Sequence, residues 1–413
     1  MTAAEHPGSG SAATERPRGE RGRRRPENPT ARRLALECLL QIDEGGRANV
    51  VVPEALGRSR LDSRDRGLAT ELVYGTTRMR RACDWLVDRH LRGRSDPDVR
   101  AALRLGAYQL AWLRVPAHAA VSATVDEVRG PGKSVVNAVL RRVAADLARG
   151  RPRWPDPPTE LSYPDWIVAR LAADLGPEPA RAALEVMNSP GVVTTREDGY
   201  VQDPSSQMVA AQVAASPGER VLDLCAAPGG KATGMAYGPD GPPNTAGGPE
   251  IVVAADVDPT RARVVAENAA RLGLDGVVST VVADGTLPPW PAGSFDRVLV
   301  DAPCSGLGVL RRRPDARWRV QPGDIPRLAE LQRRLLTAAR SLVRPGGVLV
   351  YSVCTLTVAE TGAVDRWLGT EHPDLVPLAP PGEPWIPAGR GALLLPQAEG
   401  TDGMFLLRVR SPA

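Results

Sequence analysis

The stretch VLDLCAAPGGKAT, from Val221 to Thr233, decides the fold of this chain. Its apolar start predicts a strand, Pro228 to Gly230 predict a tight turn, and Lys231 leads into a predicted helix. A strand, a tight turn and a helix start form the first unit of a nucleotide-type α/β sheet, whose ligand lies over the carboxyl end of the strand. Small residues let the backbone approach a ligand closely, and free N–H groups at a helix start favour polar or anionic atoms.

Two better-known glycine-rich patterns do not fit this stretch. A P-loop needs a glycine where Cys225 stands and a serine or threonine where Ala232 follows the lysine. The dinucleotide-binding pattern G-x-G-x-x-G is absent as well. Lys231 is one of only two lysines in the chain, with Lys133, so arginine supplies nearly all of the positive charge. The remaining alternative is an ordinary glycine turn in an α/β domain.

Length and composition bound the class of protein. The 413 residues predict two or three domains, and an apolar fraction of 42% predicts a globular chain. The net charge of +4 permits a nucleic-acid partner without requiring one. Five cysteines without a secretory signal predict reduced thiols and a cytoplasmic location. No apolar run approaches the roughly 18 to 20 residues of a membrane span, so we expect no membrane partner. The histidines have no metal-ligand spacing with the cysteines, so we expect no metal. We also expect a monomer.

The N-terminal half divides into a tail and a helical domain. Residues 1–27 lack apolar periodicity and carry an arginine cluster, which predicts a disordered basic tail. Residues 28–148 carry apolar side chains at helical spacing, which predicts an all-α domain with Cys38 and Cys83 in its core. Its predicted helices cover 31–42, 65–80, 82–91, 99–113, 119–128 and 134–147, with Asp62, Asp96 and Ser134 as caps.

The C-terminal half has a different pattern. Residues 149–200 predict a proline- and arginine-rich linker followed by one or two bridging helices within 163–187. In residues 201–413 short apolar runs alternate with helical ones, which predicts a mostly parallel sheet covered on both faces. The predicted strands are 221–224, 251–255, 277–282, 297–300 and 348–352, followed by an antiparallel hairpin of 392–395 and 404–409. The glycine- and proline-rich residues 237–250 predict a flexible loop.

Polar or reactive residues end the predicted parallel strands, and such ends meet in one crevice. Asp256 ends the second strand, where a carboxylate can accept hydrogen bonds from both hydroxyls of a ribose. Asp284 follows the third strand and is suited to an adenine amino group. Asp301 and Cys304 follow the fourth strand, and Cys354 follows the fifth. One acidic strand end is a weak signal, but this series beside a glycine turn predicts a functional site.

Cys304 and Cys354 have three interpretations. A redox pair is usually close in sequence, as in C-x-x-C, and these two are 50 positions apart. A metal site lacks further ligands. Nucleophilic catalysis remains, with one thiol attacking and the other handling a proton. The chemistry alone does not say which thiol attacks.

Both halves resemble known families. The helical half is similar to the RNA-binding domain of the antitermination factor NusB, through ARRLALECLLQI (31–42), RDRGLATELVYGTTR (64–78), LRLGAYQLAWL (103–113) and SVVNAVLRRV (134–143). The C-terminal half resembles S-adenosylmethionine-dependent RNA cytosine-5 methyltransferases, through DPSSQ (203–207), DLCAAPGGKAT (223–233), DAPCSGLGVLRRRPDARW (301–318), YSVCTL (351–356) and DGMF (402–405). In this order the motifs resemble the bacterial 16S rRNA subfamily of RsmB or Sun type. A helical bundle that only packs against its neighbour is the alternative for the first half.

The resemblance implies roles for particular residues. It implies a cofactor site for S-adenosylmethionine formed by Cys225, Ala226, Ala227, Pro228, Gly229, Gly230, Lys231, Asp256, Asp284 and Asp301. It implies that Cys354 attacks C6 of a cytosine, that Cys304 assists product release, and that Asp301 contacts the base and the cofactor. Thiolate addition at C6 makes C5 nucleophilic enough to accept a methyl group. Asp301 is then the candidate for proton handling, because the motifs contain no histidine.

The neighbouring positions bear on RNA binding. Arg311, Arg312, Arg313 and Arg317 are expected to hold RNA phosphates, and a solvated charged face is the alternative. In the family a small RNA-contacting subdomain usually separates an N-x-P segment from the DPSSQ-like motif. Here Asn188 to Pro190 precede Asp203 by only about a dozen residues, so most of that subdomain is missing. Thr361 stands after Glu360 where asparagine is common.

These observations predict a methyltransferase that modifies C5 of a cytosine in 16S rRNA. The same chemistry on tRNA, or on DNA, is one alternative. A non-catalytic RNA-binding or ribosome-assembly factor is another, although binding alone requires no paired thiols.

Overall fold

The computed structural model describes residues 29–113, 115–237 and 248–413. The predicted basic tail and most of the predicted loop 237–250 lie outside these residues.

Seven helices form the first part of the described chain. They are α1 (Ala31–Asp43), α2 (Ala48–Arg58), α3 (Ser63–Arg78), α4 (Arg80–Asp88), α5 (Pro97–Ala111), α6 (Ala117–Glu127) and α7 (Gly132–Ala148). The apolar positions of these helices face one core, in which Cys38 and Cys83 are fully buried as predicted. Because α2 contains Pro53, a residue that breaks most helices, the sequence pattern did not reveal it.

The predicted caps have different outcomes. The Asp62 side chain accepts a hydrogen bond from Asp65 N and caps α3, as predicted. Asp96 occupies the position before α5, but its side chain makes no capping hydrogen bond. The prediction for Ser134 is wrong, because α7 begins two residues earlier and Ser134 Oγ donates to the carbonyl of Pro131.

Three short helices connect the two halves. They are α8 (Pro157–Leu161), α9 (Asp165–Leu175) and α10 (Pro177–Val186). Gly176 separates α9 from α10 with φ of +89°, a conformation that glycine adopts readily. Ile167, Leu171 and Leu184 of these helices pack against Leu307 and Leu356, so the bridging helices contact both cysteine-bearing segments of the C-terminal half.

The C-terminal half contains a mixed sheet. Its elements are α11 (Pro204–Val213), β1 (Arg220–Asp223), α12 (Gly230–Met235), β2 (Ile251–Asp256), α13 (Pro259–Arg271), β3 (Val278–Val282), β4 (Phe295–Asp301), α14 (Ala316–Arg319), α15 (Asp324–Leu342), β5 (Val343–Val353), a 3₁₀ turn (Val358–Glu360), α16 (Gly362–Glu371), β6 (Val376–Pro377), β7 (Ile386–Ala388), β8 (Gly391–Leu394), α17 (Pro396–Glu399) and β9 (Met404–Arg410).

The strand order is β3-β2-β1-β4-β5-β9-β8-β7, and β6 pairs with β9. The first five strands are parallel, and β9 runs antiparallel to β5 and β8. This confirms the predicted fold class of a helical domain followed by a mostly parallel sheet with antiparallel terminal strands. The terminal pair is joined through α17 rather than by a tight turn, and the short strands β6 and β7 were not predicted.

Alternation along the strands builds a core on each face of the sheet. Leu222 packs with Phe295 and Leu336 of α15 on one face, whereas Val221 packs with Val209 of α11 and Val265 on the other. Burial on both faces explains the almost continuous apolar runs of these strands. It also fixes the carboxyl ends of β1, β2, β4 and β5 at one edge of the sheet.

Candidate active site

The glycine-rich turn after β1 is tightly packed. Gly229 has φ of +103°, and a Cβ on Gly230 would lie 3.0 Å from Gln202 Nε2. Arg196 Nη1 donates to the carbonyl of Gly230 at 2.7 Å, and Asn268 Nδ2 donates to the carbonyl of Pro228 at 2.9 Å. These contacts, which come from outside the turn, fix the shape that the small residues make possible.

The acidic residues at the ends of β2 and β3 differ in their surroundings. Asp256 is buried, and its Oδ2 accepts a hydrogen bond of 3.3 Å from Ala227 N, so it lies against the glycine-rich turn. Asp284 is exposed and accepts hydrogen bonds of 2.8 Å from Thr286 N and Oγ1, which lower the pKa of its carboxyl. The apolar side chains of Val257 and Leu287, beside these residues in the chain, are 64% and 81% exposed. Sequence analysis did not single out these two apolar residues, although they lie next to the acidic strand ends of the predicted site.

A second residue that sequence analysis missed is Asp223, at the end of β1. Its side chain is buried, and neither carboxylate oxygen has a hydrogen-bond partner among the described residues. Burial, together with the nearby charge of Asp301, raises its pKa to about 7. A buried carboxylate without a partner, beside a turn that a Cβ would fill, suits a ligand that carries a cationic group.

Lys231 and Asp301 form an ion pair at the centre of the strand ends. Lys231 Nζ lies 2.7 Å from Asp301 Oδ2 and 3.4 Å from Ser206 Oγ. Ser352 Oγ donates to the other carboxylate oxygen of Asp301 at 2.6 Å. Burial alone would lower the pKa of Lys231, but the charge of Asp301 outweighs it and raises that pKa. Lys231 is therefore a cation under ordinary conditions.

The sulfur atoms of Cys304 and Cys354 lie 3.3 Å apart. The hydrogen bond between them lowers the pKa of Cys354 and raises that of Cys304; burial opposes the first shift and adds to the second. The charge of Arg313 also lowers the pKa of Cys354. Cys354 therefore has the lower pKa of the two thiols, an arrangement that favours Cys354 as the nucleophile. At Cys225 burial and the charge of Asp223 raise the pKa, which suits a packing role.

The arginines that follow Cys304 are mostly not available to RNA. Arg311 donates to the carbonyls of Gly400, Thr401 and Pro190, and Arg312 pairs with Asp203 and Asp402. Arg317 is fully buried. The expectation that these three hold phosphates is wrong, because folding supplies each with acceptors from distant parts of the chain. Arg313 is exposed, so it remains a candidate for contact with an RNA phosphate.

Arg317 joins the cysteine loop to the rest of the molecule. Its guanidinium carbon lies 3.8 Å from the centre of the Tyr163 ring, and its nitrogens donate to the carbonyls of Arg78, Ser162 and Met187 and to Asn188 Oδ1. Next to it, Trp318 Nε1 donates to the carbonyl of Thr77 at 2.7 Å. The segment after Cys304 is thus attached to the junction of α3 and α4 in the helical half.

The segment before DPSSQ is short, as the sequence indicated. Residues 191–201 form a single turn closed by an isolated antiparallel bridge between Thr195 and Val201. Arg196 ties this turn to Gly230, and Arg312 donates to the carbonyl of Val192. Val192 and Val193 project into solvent, each 71% exposed.

The described ranges contain neither a cluster of metal ligands nor a membrane-spanning helix. No group of three or more His, Cys, Asp or Glu side chains there is arranged to hold a metal ion. None of the helices in those ranges has both the length and the apolar character needed to cross a bilayer.

Comparison with known proteins relates the chain to two families. Residues 210–410 match the family described as 16S rRNA methyltransferase RsmB/F, and residues 29–145 match the NusB family. A ribosomal RNA small subunit methyltransferase B from Thermus thermophilus is 39% identical, over 92% of this chain and 98% of its own length. A putative methyltransferase from Mycobacterium tuberculosis is 37% identical, over 95% of this chain and 99% of its own length.

The fold is similar to a solved structure. That structure, the protein PH0851, covers 92% of this chain and 98% of its own with a TM-score of 0.74 at 21% identity.

Proposed function

The chain belongs to the RsmB/F family of 16S rRNA methyltransferases, and from that premise we propose that it methylates C5 of a cytosine in 16S rRNA through a covalent cysteine adduct. The observation that carries this proposal is the close pair of sulfur atoms of Cys354 and Cys304 at the strand ends, beside the ion pair of Lys231 and Asp301. RNA binding by itself gives no reason for two sulfur atoms 3.3 Å apart.

The cofactor of this methyltransferase is S-adenosylmethionine, and the site fits it. We assign its binding to residues 225–231 of the turn, to Asp256 and Asp284 at the strand ends, and to Asp301. The unpartnered carboxylate of Asp223 adds an acceptor of the right charge for a cationic ligand. When bound, S-adenosylmethionine supplies a methyl group to a carbon nucleophile.

The residues of the chain prepare the cytosine for this transfer. The thiolate of Cys354 adds to C6, which moves electron density to C5, and C5 then accepts the methyl group. Asp301 exchanges protons with the base and takes up the proton that C5 must lose. The C5–C6 double bond re-forms as the bond from C6 to sulfur breaks and Cys354 departs as a thiolate.

Cys304 assists the last step. Its sulfur lies 3.3 Å from that of Cys354, and a hydrogen bond between the two favours the thiolate form of Cys354. The same hydrogen bond stabilises that thiolate as a leaving group, so loss of Cys304 slows release of the product.

The parts of the chain have separate tasks in this proposal. We assign 28–148 as a NusB-like RNA-binding domain, 149–200 as a linker with bridging helices, and 201–413 as the catalytic domain, after the basic tail of 1–27. We propose a monomer, with RNA as its partner. The exposed Arg313, whose charge acts on Cys354, is the arginine of its loop that remains placed for an RNA phosphate.

Tritium transfer from labelled S-adenosylmethionine to unmodified 16S rRNA tests the proposal, with the modified base identified by mass spectrometry. We expect label at C5 of cytosine at one site, and none with Cys354→Ala. Label in tRNA alone would contradict the substrate. Cofactor binding without transfer to any RNA would contradict the enzymatic function and favour a binding factor.

A further inference from the structure

A buried carboxylate lies behind both cysteines, and the mechanism above does not use it. Glu360, at the end of the 3₁₀ turn, is fully buried. Its Oε1 accepts hydrogen bonds from Ser305 N at 2.8 Å and Gln332 Nε2 at 3.1 Å. Its Oε2 accepts from the hydroxyls of Ser305 at 2.5 Å, Thr357 at 2.9 Å and Thr355 at 3.3 Å. Glu360 acts only as an acceptor in these contacts.

The donors are placed next to the two cysteines in the chain. Ser305 directly follows Cys304, and Thr355 directly follows Cys354. The two hydroxyls also contact each other at 2.8 Å. One carboxylate therefore connects the backbone segments that carry the two sulfur atoms, although the segments lie 50 positions apart in sequence.

A second layer of buried groups holds this carboxylate in place. Tyr351 Oη donates to the carbonyl of Glu360 at 2.7 Å and lies 3.0 Å from Gln332 Oε1. Gln332 Nε2 also donates to the carbonyl of Pro303 at 3.0 Å, immediately before Cys304. Gln332 and Tyr351 are fully buried, so these contacts are shielded from water.

The charge of Glu360 acts unequally on the two thiols. It raises the pKa of Cys304, after the larger effects of the hydrogen bond to Cys354 and of burial. The charged groups that act on Cys354 are different ones: Arg313, Asp301 and Lys231. A negative charge on the Cys304 side disfavours ionisation of Cys304 and leaves Cys354 with the lower pKa of the two.

We propose that Glu360 is a positioning residue that holds the two cysteine segments together and keeps the shared proton of the thiol pair on Cys304. This role rests on the proposed assignment of Cys354 as the nucleophile. Glu360 acts through Ser305 and Thr355 and is not proposed to touch RNA or cofactor. Its charge adds to the difference between the pKa values of the two cysteines.

Alkylation of the full-length protein by iodoacetamide tests this role without RNA or cofactor. The labelled peptides are quantified by mass spectrometry between pH 6 and pH 9, since thiolates react and thiols do not. In the wild type we expect Cys354 to react at least about tenfold faster than Cys304. In Glu360→Gln we expect this ratio to fall at least about threefold, because the amide has no charge to oppose ionisation of Cys304. Glu360→Asp, which keeps the charge, should retain most of the ratio.

Thr361→Val is the matched control. The Thr361 hydroxyl is buried beside Glu360 in the chain but donates to the carbonyl of Thr357 and not to the carboxylate. We expect the wild-type ratio in this variant, with any loss of stability seen in thermal unfolding. A general loosening of the fold would change the ratio in both variants, whereas the proposed role changes it in Glu360→Gln alone.

Two results would overturn the proposal: an unchanged ratio in folded Glu360→Gln, or an equal fall in Thr361→Val. If Glu360→Gln does not fold, Ser305→Ala removes one link between carboxylate and cysteine segment, and an unchanged ratio there has the same meaning. The result is independent of the enzymatic proposal. Unequal alkylation that depends on Glu360, in a protein that transfers no methyl group to RNA, would contradict the proposed function and leave intact only the effect of Glu360 on the two thiols.

Discussion

The ammonium of Lys231 lies 2.7 Å from the carboxylate of Asp301, and this contact joins the glycine-rich turn after β1 to the end of β4. Ser352 of β5 holds the other oxygen of the same carboxylate at 2.6 Å. Asp301 is therefore fixed from two sides, by the element that we assign to the cofactor and by the strand that leads to Cys354. A carboxylate held in this way is already positioned to act on a base.

Asp301→Asn should lower the rate of methyl transfer by at least about 100-fold, within the range of a lost proton-handling group. The amide can keep the contact with Ser352 but loses both the ion pair with Lys231 and the ability to take up a proton. Ser352→Ala, which removes one hydrogen bond and leaves the charge, should cost about tenfold or less. Initial rates with labelled cofactor measure both, and similar rates for Asp301→Asn and the wild type would exclude the assigned role.

Cys304→Ala should trap the protein on its RNA. Without the hydrogen bond that stabilises the departing thiolate of Cys354, the bond from C6 to sulfur persists after methylation. We expect a covalent complex that survives a denaturing gel and requires both RNA and cofactor. Cys354→Ala and the double variant should give none. A Cys304→Ala protein that releases methylated RNA at the wild-type rate would show that Cys304 has another task.

Asp223→Asn should stabilise the protein without ligand, and the gain should depend on pH. The folded-state pKa of about 7 lies above the value of about 3.9 for a free aspartate, so ionisation costs the folded state stability as pH rises from about 4 to 7. Asparagine removes this cost. We expect no gain in Tm at pH 4, a gain of a few degrees at pH 8, and at least tenfold weaker binding of S-adenosylmethionine. A gain that is equal at both pH values would mean that folding does not raise the pKa of Asp223.

Arg317→Leu should destabilise the fold by about 3 kcal/mol, because it leaves several buried acceptors without a donor. Arg313→Leu is the matched change in the same loop, and its exposed side chain predicts a change of stability within about 0.5 kcal/mol. For RNA affinity we expect the opposite order of effects: Arg313→Leu is the variant that weakens binding and lowers its dependence on salt. Denaturant unfolding and RNA titration at several salt concentrations measure these effects. Equal destabilisation by both changes would contradict the assignment of Arg317 as the buried link.

Some of this structure could be predicted from the sequence because its signals are local. The glycine-rich turn and the polar strand ends at Asp256 and Asp301 are contiguous with the strands that carry them, so alternation and residue type reveal them. The buried arginines could not be predicted in the same way. Arg312 pairs with Asp203, which is 109 positions away in sequence, and Arg317 donates to the carbonyl of Arg78, which is 239 positions away. In the sequence alone, these arginines therefore look like a solvated charged loop.

The distinction between the two cysteines depends on contacts that no short motif contains. The resemblance to a family assigned Cys354 as the nucleophile, while the residue types alone were symmetrical. In the folded chain the pKa values of the two thiols shift in opposite directions. Glu360, which we propose to contribute to this difference, contacts residues 305, 332 and 355. Asp223 was overlooked for a related reason, since an aspartate at the end of a strand gives no sign of being unpaired.

The attachment of Cys354 and Cys304 to different kinds of structure has a consequence for local unfolding. Cys354 follows β5, which is paired on both sides, with β4 and with β9. Cys304 lies on a loop whose far end is attached to the helical half through Arg317 and Trp318. Amide hydrogen exchange at the end of β5 should therefore report global unfolding, whereas the Cys304 loop can open in a smaller step when the two halves separate. The proposed nucleophile Cys354 is thus held by the sheet, whereas the far end of the loop that carries Cys304 shares the fluctuations of the contact between the halves.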